Sequence, residues 1–397
     1  MMWPRDPLAA VTHPNPYPYY AELVANRPLF HDDALGLWVA SSADAVGAVL
    51  ISDVCRVRPA AEPVPSALLG SPAADVFRYL ARMNDGSDHL AFKRAISGAL
   101  ASVDLLQVAS LSRTWARLLM EQMRPADNPA RLLDFAFDLP VYVVGSLLGL
   151  TRDTLQRVAL WMGDFVHCLA PTSSPGQVER GKVAAGHLLA TFHSHLAAQR
   201  TRPTDDLLGA LAWQAARLEC EDADSVVVAN GIGLLSQAYE ATAGLIGNTL
   251  VALAFHRETL EQVRADPAAL GDVVREVLRH DPPIQNTRRF VSGSAIVAGR
   301  QMEAGERILV VLAAANRDPS ANPDPDRFDR LRKNRKSFTF GVGAHACPGE
   351  ALATTIARGG LEALLLAGID PEELTGRVTY RPSLNARVPL LGQQLET

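Results

Sequence analysis

Residues 340–349 read Phe340-Gly-Val-Gly-Ala-His-Ala-Cys-Pro-Gly349, and this segment carries the clearest chemistry in the chain. Its glycines permit a tight turn that brings backbone close to a flat ligand. Pro348 and the helix-forming residues 350–358 put Cys347 at or just before a helix N-terminus, where proline is favoured. The positive dipole end and the unpaired N–H groups there stabilise a thiolate, which is both a nucleophile and a metal ligand. The competing use of such a residue is a buried structural thiol. A second candidate is the pair Glu276 and Arg279, three apart on one helix face and able to form an ion pair. In isolation it would be a solvated surface pair of under ~1 kcal/mol. A third is Glu240, a carboxylate within an apolar helix, which is costly unless paired and so a functional candidate.

Helices must position all three. Helical periodicity dominates residues 41–280 and returns after Cys347. Helices are expected over residues 87–101, 105–123, 132–148, 181–200 and 225–255, with breakers at 171–175, 201–203 and 281–283. Strand-like stretches are short: 37–40, 295–298, 308–312 and 388–391. The expected fold is mainly α, one domain over residues 1–397, with a helical core and small peripheral β-sheets. The apolar run 225–255 contains Asn230, Gln237, Glu240 and Asn248 and lacks flanking basic clusters, so a buried helix fits it better than a membrane span.

The composition, 48% hydrophobic and 20% charged, is that of an ordinary globular chain. A net charge of -5 gives no reason to expect nucleic acid or an anionic membrane as partner. The cysteines at 55, 168, 220 and 347 form no CxxC pair, so neither a zinc site nor a disulfide framework is expected, and a reducing, cytoplasmic setting follows. Residues 1–20 hold no apolar run of the kind a signal peptide needs.

Phe340, Gly343, Cys347 and Gly349 match the pattern FxxGxxxCxG in full, and with the segments below the chain resembles the cytochrome P450 family from end to end. His13-Pro-Asn-Pro-Tyr-Pro-Tyr-Tyr-Ala-Glu-Leu23 is similar to the family's N-terminal segment. Glu276-Val-Leu-Arg279 is similar to its ExxR pair, and residues 315–319 and 323–328 to the stretch that locks that pair. The resemblance implies the cytochrome P450 fold and haem b (iron protoporphyrin IX) ligated by Cys347, whose thiolate pushes electron density onto iron and favours O–O cleavage. It makes Glu276 and Arg279 a structural network behind the haem loop. It assigns the haem carboxylates to His89, Lys93, Arg289 and His345. Lys93 stands where arginine is usual and offers a point charge instead of a fork, and Arg94 competes for the role.

Two departures from the family pattern matter. On the oxygen side the register reads Gln237-Ala238-Tyr239-Glu240-Ala241-Thr242: the acid is kept as Glu240, but Ala241 replaces the usual relay alcohol and Gln237 the first small residue. Proton delivery by a positioned group contributes about 10²–10⁴-fold, so the loss should uncouple the reaction unless something substitutes. Thr242 is rotated by about 100° from position 241. Gln237 lies one turn earlier on the face of Ala241, and its amide, or a substrate hydroxyl, is the expected replacement. The second departure is Pro348 after the ligand. It cannot donate an N–H to the sulfur, which should leave the sulfur more electron-rich and lower the iron's reduction potential.

By the same resemblance, substrate-facing segments fall at 58–80, 164–175, 284–287 and 384–386. Phe165, Val166, Leu169, Ile284 and Leu384 are expected walls, and Arg58, Arg78, Arg82 and Asn286 candidates for a polar end. No flavin or iron–sulfur module is present in the sequence, so electrons from NAD(P)H are expected through a ferredoxin reductase and a ferredoxin. The run Arg332-Lys-Asn-Arg-Lys336 is expected to dock the acidic ferredoxin. The expected activity is O₂-dependent hydroxylation or epoxidation of a small hydrophobic molecule in secondary metabolism by a monomeric enzyme. Oxidative coupling, desaturation or rearrangement is the rival, because of Ala241. From another class, a non-catalytic haem sensor or ligand-binding protein is the alternative.

Overall fold

The computed structural model describes residues 3–392 apart from 171, 203–204, 218–221 and 375–377. Cys220 and the breaker prolines at 171 and 203 lie outside the described residues. The chain separates into two compact units, one of residues 1–56, 112–137 and 240–397, the other of residues 57–111 and 138–239.

In the first unit, alternation of side chains builds a sheet with two apolar faces. Its strands are β1 (Leu29–Asp32), β2 (Leu37–Ala40), β3 (Cys55–Arg56) and β4 (Thr287–Val291); after the hairpin of β5 (Ala295–Val297) and β6 (Arg300–Met302), β7 (Arg307–Val310) completes it. The spatial order is β1-β2-β7-β4-β3, with β2 and β7 parallel and the other pairs antiparallel. Leu37, Val39, Leu309 and Val311 pack on Tyr20 and Leu23, while Ala40, Ile308 and Val310 pack on Val46 and Leu50, as a two-residue period requires. A last hairpin pairs β8 (Thr379–Tyr380) with β9 (Pro389–Leu390).

Five helices carry the residues of interest: α1 (Gly86–Ala101), α2 (Arg152–Cys168), α3 (Ala223–Phe255), α4 (Leu270–His280) and α5 (Glu350–Leu366). Helix α3 begins in the second unit and ends in the first. The expected helices are present at 86–101, 105–123, 131–147, 175–201 and 223–255. Four strands match the expected stretches to within three residues. β4 was missed because Arg288 and Arg289 break its apolar alternation, and so were β1, β3, β6 and β8. In the second unit, α2 packs on the helix Pro175–Thr201 so closely that a Cβ on Gly181 would lie 2.2 Å from Cys168 Cβ. Among the described residues no single helix is long and apolar enough to cross a membrane.

Candidate functional site

The cysteine loop belongs to the first unit. Cys347 N–H donates to Phe340 O at 2.7 Å and Ala346 N–H to Gly343 O at 3.1 Å, closing the loop on itself. Gly341 and Gly343 have φ of 69° and 72°, a left-handed backbone that other residues resist. A Cβ on Gly343 would also stand 3.3 Å from Leu50 O and from Ile51 Cγ2, so only glycine lets the loop lie this close to the helix Ala43–Ile51. Helix α5 starts at Glu350 with Gly349 as N-cap, so Cys347 stands just outside it. The sulfur still uses a donor of that helix end: Gly349 N–H points to Cys347 Sγ at 3.4 Å. Burial pushes the thiols of Cys55 and Cys168 up, the latter to about 11 despite a smaller opposing pull from Lys182. Of the three cysteines described, Cys347 alone is exposed, the condition for a thiolate ligand.

A buried polar chain holds that loop. Glu276 and Arg279 are fully buried on α4, with Arg279 Nη2 2.6 Å from Glu276 Oε1. Arg279 also donates to Pro325 O at 2.7 Å and to Arg327 O at 3.2 Å. Asn316 accepts from Phe338 N–H at 2.6 Å and donates to Thr339 Oγ1 at 2.8 Å, and Thr339 donates to Leu278 O. Thus the strip leading into residue 340 is tied to the backbone of α4. Burial alone would raise the Glu276 carboxyl; the hydrogen bonds and charge of Arg279, with Arg335 and the Asp329 N–H, outweigh it and hold the group below the usual glutamate value.

Here one expectation is corrected. Arg332 and Arg335, read as half of a ferredoxin-docking run, turn inward: Arg335 Nε lies 2.8 Å and Arg332 Nε 3.4 Å from Glu276, with side chains only 15% and 10% exposed. A buried carboxylate gains more from these guanidiniums than solvent offers them. Lys333 and Lys336 remain at the surface.

The expected haem-carboxylate cations are distributed over both units. In the first, Arg289 on β4 is 5% exposed and donates to Arg288 O at 2.8 Å, and His345 forms part of the short turn Gly343–His345. In the second, His89 on α1 is 3% exposed and its Nδ1 pairs with Ala81 O at 2.9 Å, so the atom facing a carboxylate would be Nε2. Lys93 follows one turn later on α1.

On α3, Ala241 is partly exposed while Thr242 is 1% exposed, in keeping with its rotation away from position 241. Gln237 is exposed, and its amide donates to Gly233 O of its own helix at 2.9 Å. Glu240 pairs with Arg381, Nη1 to Oε1 at 3.3 Å.

The expected substrate walls divide. Val166, Leu169, Ile284 and Leu384 are partly exposed. Phe165 differs from them: it is completely buried on the packed face of α2. Asn286 is 2% exposed and donates to Leu384 O at 2.8 Å, which ties two loops together. Sequence reasoning missed Arg332, Arg335, Thr339 and Arg381 as site-organising residues. Asn316 lies in the stretch that resembles the ExxR lock; Arg381, 141 positions from its partner, carries no sequence signal.

A porphyrin with an axial thiolate needs an accessible sulfur, backbone able to approach a flat ring and buried cations for two carboxylates. In the first unit, exposed Cys347, the left-handed Gly341 and Gly343, and buried Arg289 fit that donor set. The family model described as Cytochrome P450 matches residues 221–367. The 6-deoxyerythronolide B hydroxylase of Saccharopolyspora erythraea is 31% identical, over 92% of this chain and 93% of that protein. The biotin biosynthesis cytochrome P450 of Bacillus subtilis is 26% identical over 88% of each chain. Among solved structures, CalO2 superposes with a TM-score of 0.83 at 25% identity over 98% of each chain. P450BioI in complex with a hexadec-9Z-enoic acid-ligated acyl carrier protein gives 0.81 at 25% identity, over 94% of this chain and 97% of that one. With these relatives and an exposed cysteine held in the matching loop, the chain belongs to the cytochrome P450 family and is a P450 mono-oxygenase.

Proposed function

We propose that the chain, acting as one catalytic domain, is a haem-b hydroxylase or epoxidase of secondary metabolism that receives NAD(P)H electrons through a ferredoxin reductase and a ferredoxin. The observation that carries the reading is the exposed Cys347 thiol in a loop anchored to the buried Glu276–Arg279 pair. Haem bound through that thiolate supplies O₂ activation. Cys347 would ligate the iron, with Phe340 and Gly349 in its loop, and His89, Lys93, Arg289 and His345 would hold the two carboxylates. Glu240 would carry protons on the oxygen side. Lys333 and Lys336, both exposed, support docking of an acidic ferredoxin. A monomer in the cytoplasm is the proposed setting.

The substrate proposed is a small hydrophobic intermediate. Relatives named as a 6-deoxyerythronolide B hydroxylase and a mono-oxygenase PikC support secondary metabolism, and the acyl-carrier complex of P450BioI supports a carrier-tethered form. Ala241 favours a course in which a substrate hydroxyl takes the place of the relay alcohol, or one of the rarer outcomes of coupling, desaturation or rearrangement.

The test is spectroscopic. Reduced, CO-treated protein is expected to absorb at the position of a thiolate-ligated haem, and Cys347→His to absorb at the imidazole position. A wild-type spectrum already at the imidazole position would refute the ligand assignment. Titration of free and carrier-bound metabolites against the Soret band, read as a low-spin to high-spin change, then narrows the substrate.

A further inference from the structure

We infer that Arg381 is a positioning residue for proton transfer, holding the Glu240 carboxylate in the orientation from which it carries protons; this rests on the proposed role of Glu240. The guanidinium of Arg381 donates through Nη1 to Glu240 Oε1 at 3.3 Å and lies 5.0 Å from the centroid of the Phe137 ring. Both side chains are about one quarter exposed, 23% for Arg381 and 27% for Glu240. The arginine's own backbone is fixed beside the β8–β9 hairpin, where Arg381 N–H donates to Val388 O at 2.9 Å.

Three features separate this pair from an ordinary surface ion pair. Ala241 brings no hydroxyl next to the carboxylate, so no neighbouring alcohol at that position can correct a misdirected acid. An unbranched glutamate in an apolar helix has several rotamers, and proton transfer requires one of them, so a cation that selects it raises the effective concentration of the productive geometry. The arginine also shares its loop with Leu384, expected to line the substrate: Leu384 O is held by Asn286, and Ala386 pairs with Ile284. Movement of that loop on substrate binding would be passed directly to the acid through Arg381.

The experiment uses holoenzyme with hydrogen peroxide and guaiacol, a probe pair that needs neither the natural substrate nor a redox partner. Each peroxide accepts two electrons and two protons to become two waters while two guaiacol molecules lose one electron and one proton each. On the way, the peroxide proton passes to Glu240 from one oxygen and returns to the other. Wild type, Glu240→Gln, Arg381→Met, Arg381→Lys and the double variant Glu240→Gln/Arg381→Met are compared by kcat/KM for peroxide. Glu240→Gln is expected to lose about 10²-fold, the low end for a positioned acid–base group. Arg381→Met should lose at least ~10-fold with the glutamate intact, Arg381→Lys should recover most of that, and the double variant should be no slower than Glu240→Gln alone, as for residues acting as one unit.

Without turnover, the carboxylate stretch assigned to Glu240 by infrared subtraction of the Glu240→Gln spectrum should shift in ferric Arg381→Met. A loss that persists undiminished in the Glu240→Gln background would mark Arg381 as merely structural and overturn the inference. So would an unchanged rate and stretch in Arg381→Met beside an impaired Glu240→Gln, which would leave the role of Glu240 standing. An unimpaired Glu240→Gln would remove that role, and the inference with it.

Discussion

Arg335 donates to Oε2 of Glu276 at 2.8 Å, so a residue from an apparently basic surface run is the third guanidinium on one buried carboxylate, beside Arg279 and Arg332. The consequence is a division of labour within five consecutive residues. Arg335→Leu is expected to cost about 1.5–3 kcal/mol, the range for a hydrogen bond to a charged group, and Glu276→Ala about 3–5 kcal/mol, because it strands a fully buried Arg279. Lys333→Ala and Lys336→Ala should stay within ~0.5 kcal/mol. Urea unfolding of the four variants, with haem retention followed in parallel, measures the split.

The same carboxylate sets an acid limit. Its folded value lies below the ordinary one, so its contribution is complete above the unfolded value, about 4.3, and is lost as pH falls through the lower folded value. Glu276→Gln should therefore be less stable at neutral pH yet show a flatter stability curve below about pH 4. Chemical unfolding repeated across that range supplies the curve; parallel curves would argue against a charged Glu276.

His280 acts at a higher pH. Burial, reinforced by the charge of Arg317, lowers it to about 2, and Arg317 Nη2 donates to its Nδ1 at 3.0 Å, which requires a neutral ring. The unfolded histidine titrates near ~6.5, so stability is full above that value and falls as pH drops below it, by about 1.4 kcal/mol per unit for one proton. His280→Gln should remove that slope between about pH 6 and pH 4 while leaving the curve above pH 7 parallel to wild type.

Pro348 leaves Gly349 as the following N–H that points at the sulfur, at 3.4 Å. Pro348→Leu adds a donor, makes the thiolate less electron-rich and should raise the reduction potential of the holoenzyme. Spectroelectrochemical titration decides the sign, and a fall would contradict the argument.

Gln237 spends its amide on Gly233 O within its own helix. Gln237→Ala is accordingly expected to leave hydrogen peroxide released per NAD(P)H oxidised unchanged, whereas Ala241→Thr, which places an alcohol at the proposed relay position, should lower it. A marked rise in peroxide on losing Gln237 would return the relay role to that amide.

The sequence by itself determined the cysteine loop, because Phe340, Gly343, Cys347 and Gly349 lie within ten residues and their geometry depends on spacing along one turn. It also determined the long helices, whose periodic apolar residues are local, and the buried pairing of Glu276 with Arg279, which needs one helical turn. Only the tertiary structure decided where long side chains point. Arg332 and Arg335 face a carboxylate more than fifty positions away, Arg381 faces Glu240 across 141, and Phe165 is packed inside instead of lining a surface. A flexible cation has as many possible partners as the folded chain brings within its reach. Burial, which strengthens one of them over water, comes into being only when distant segments meet.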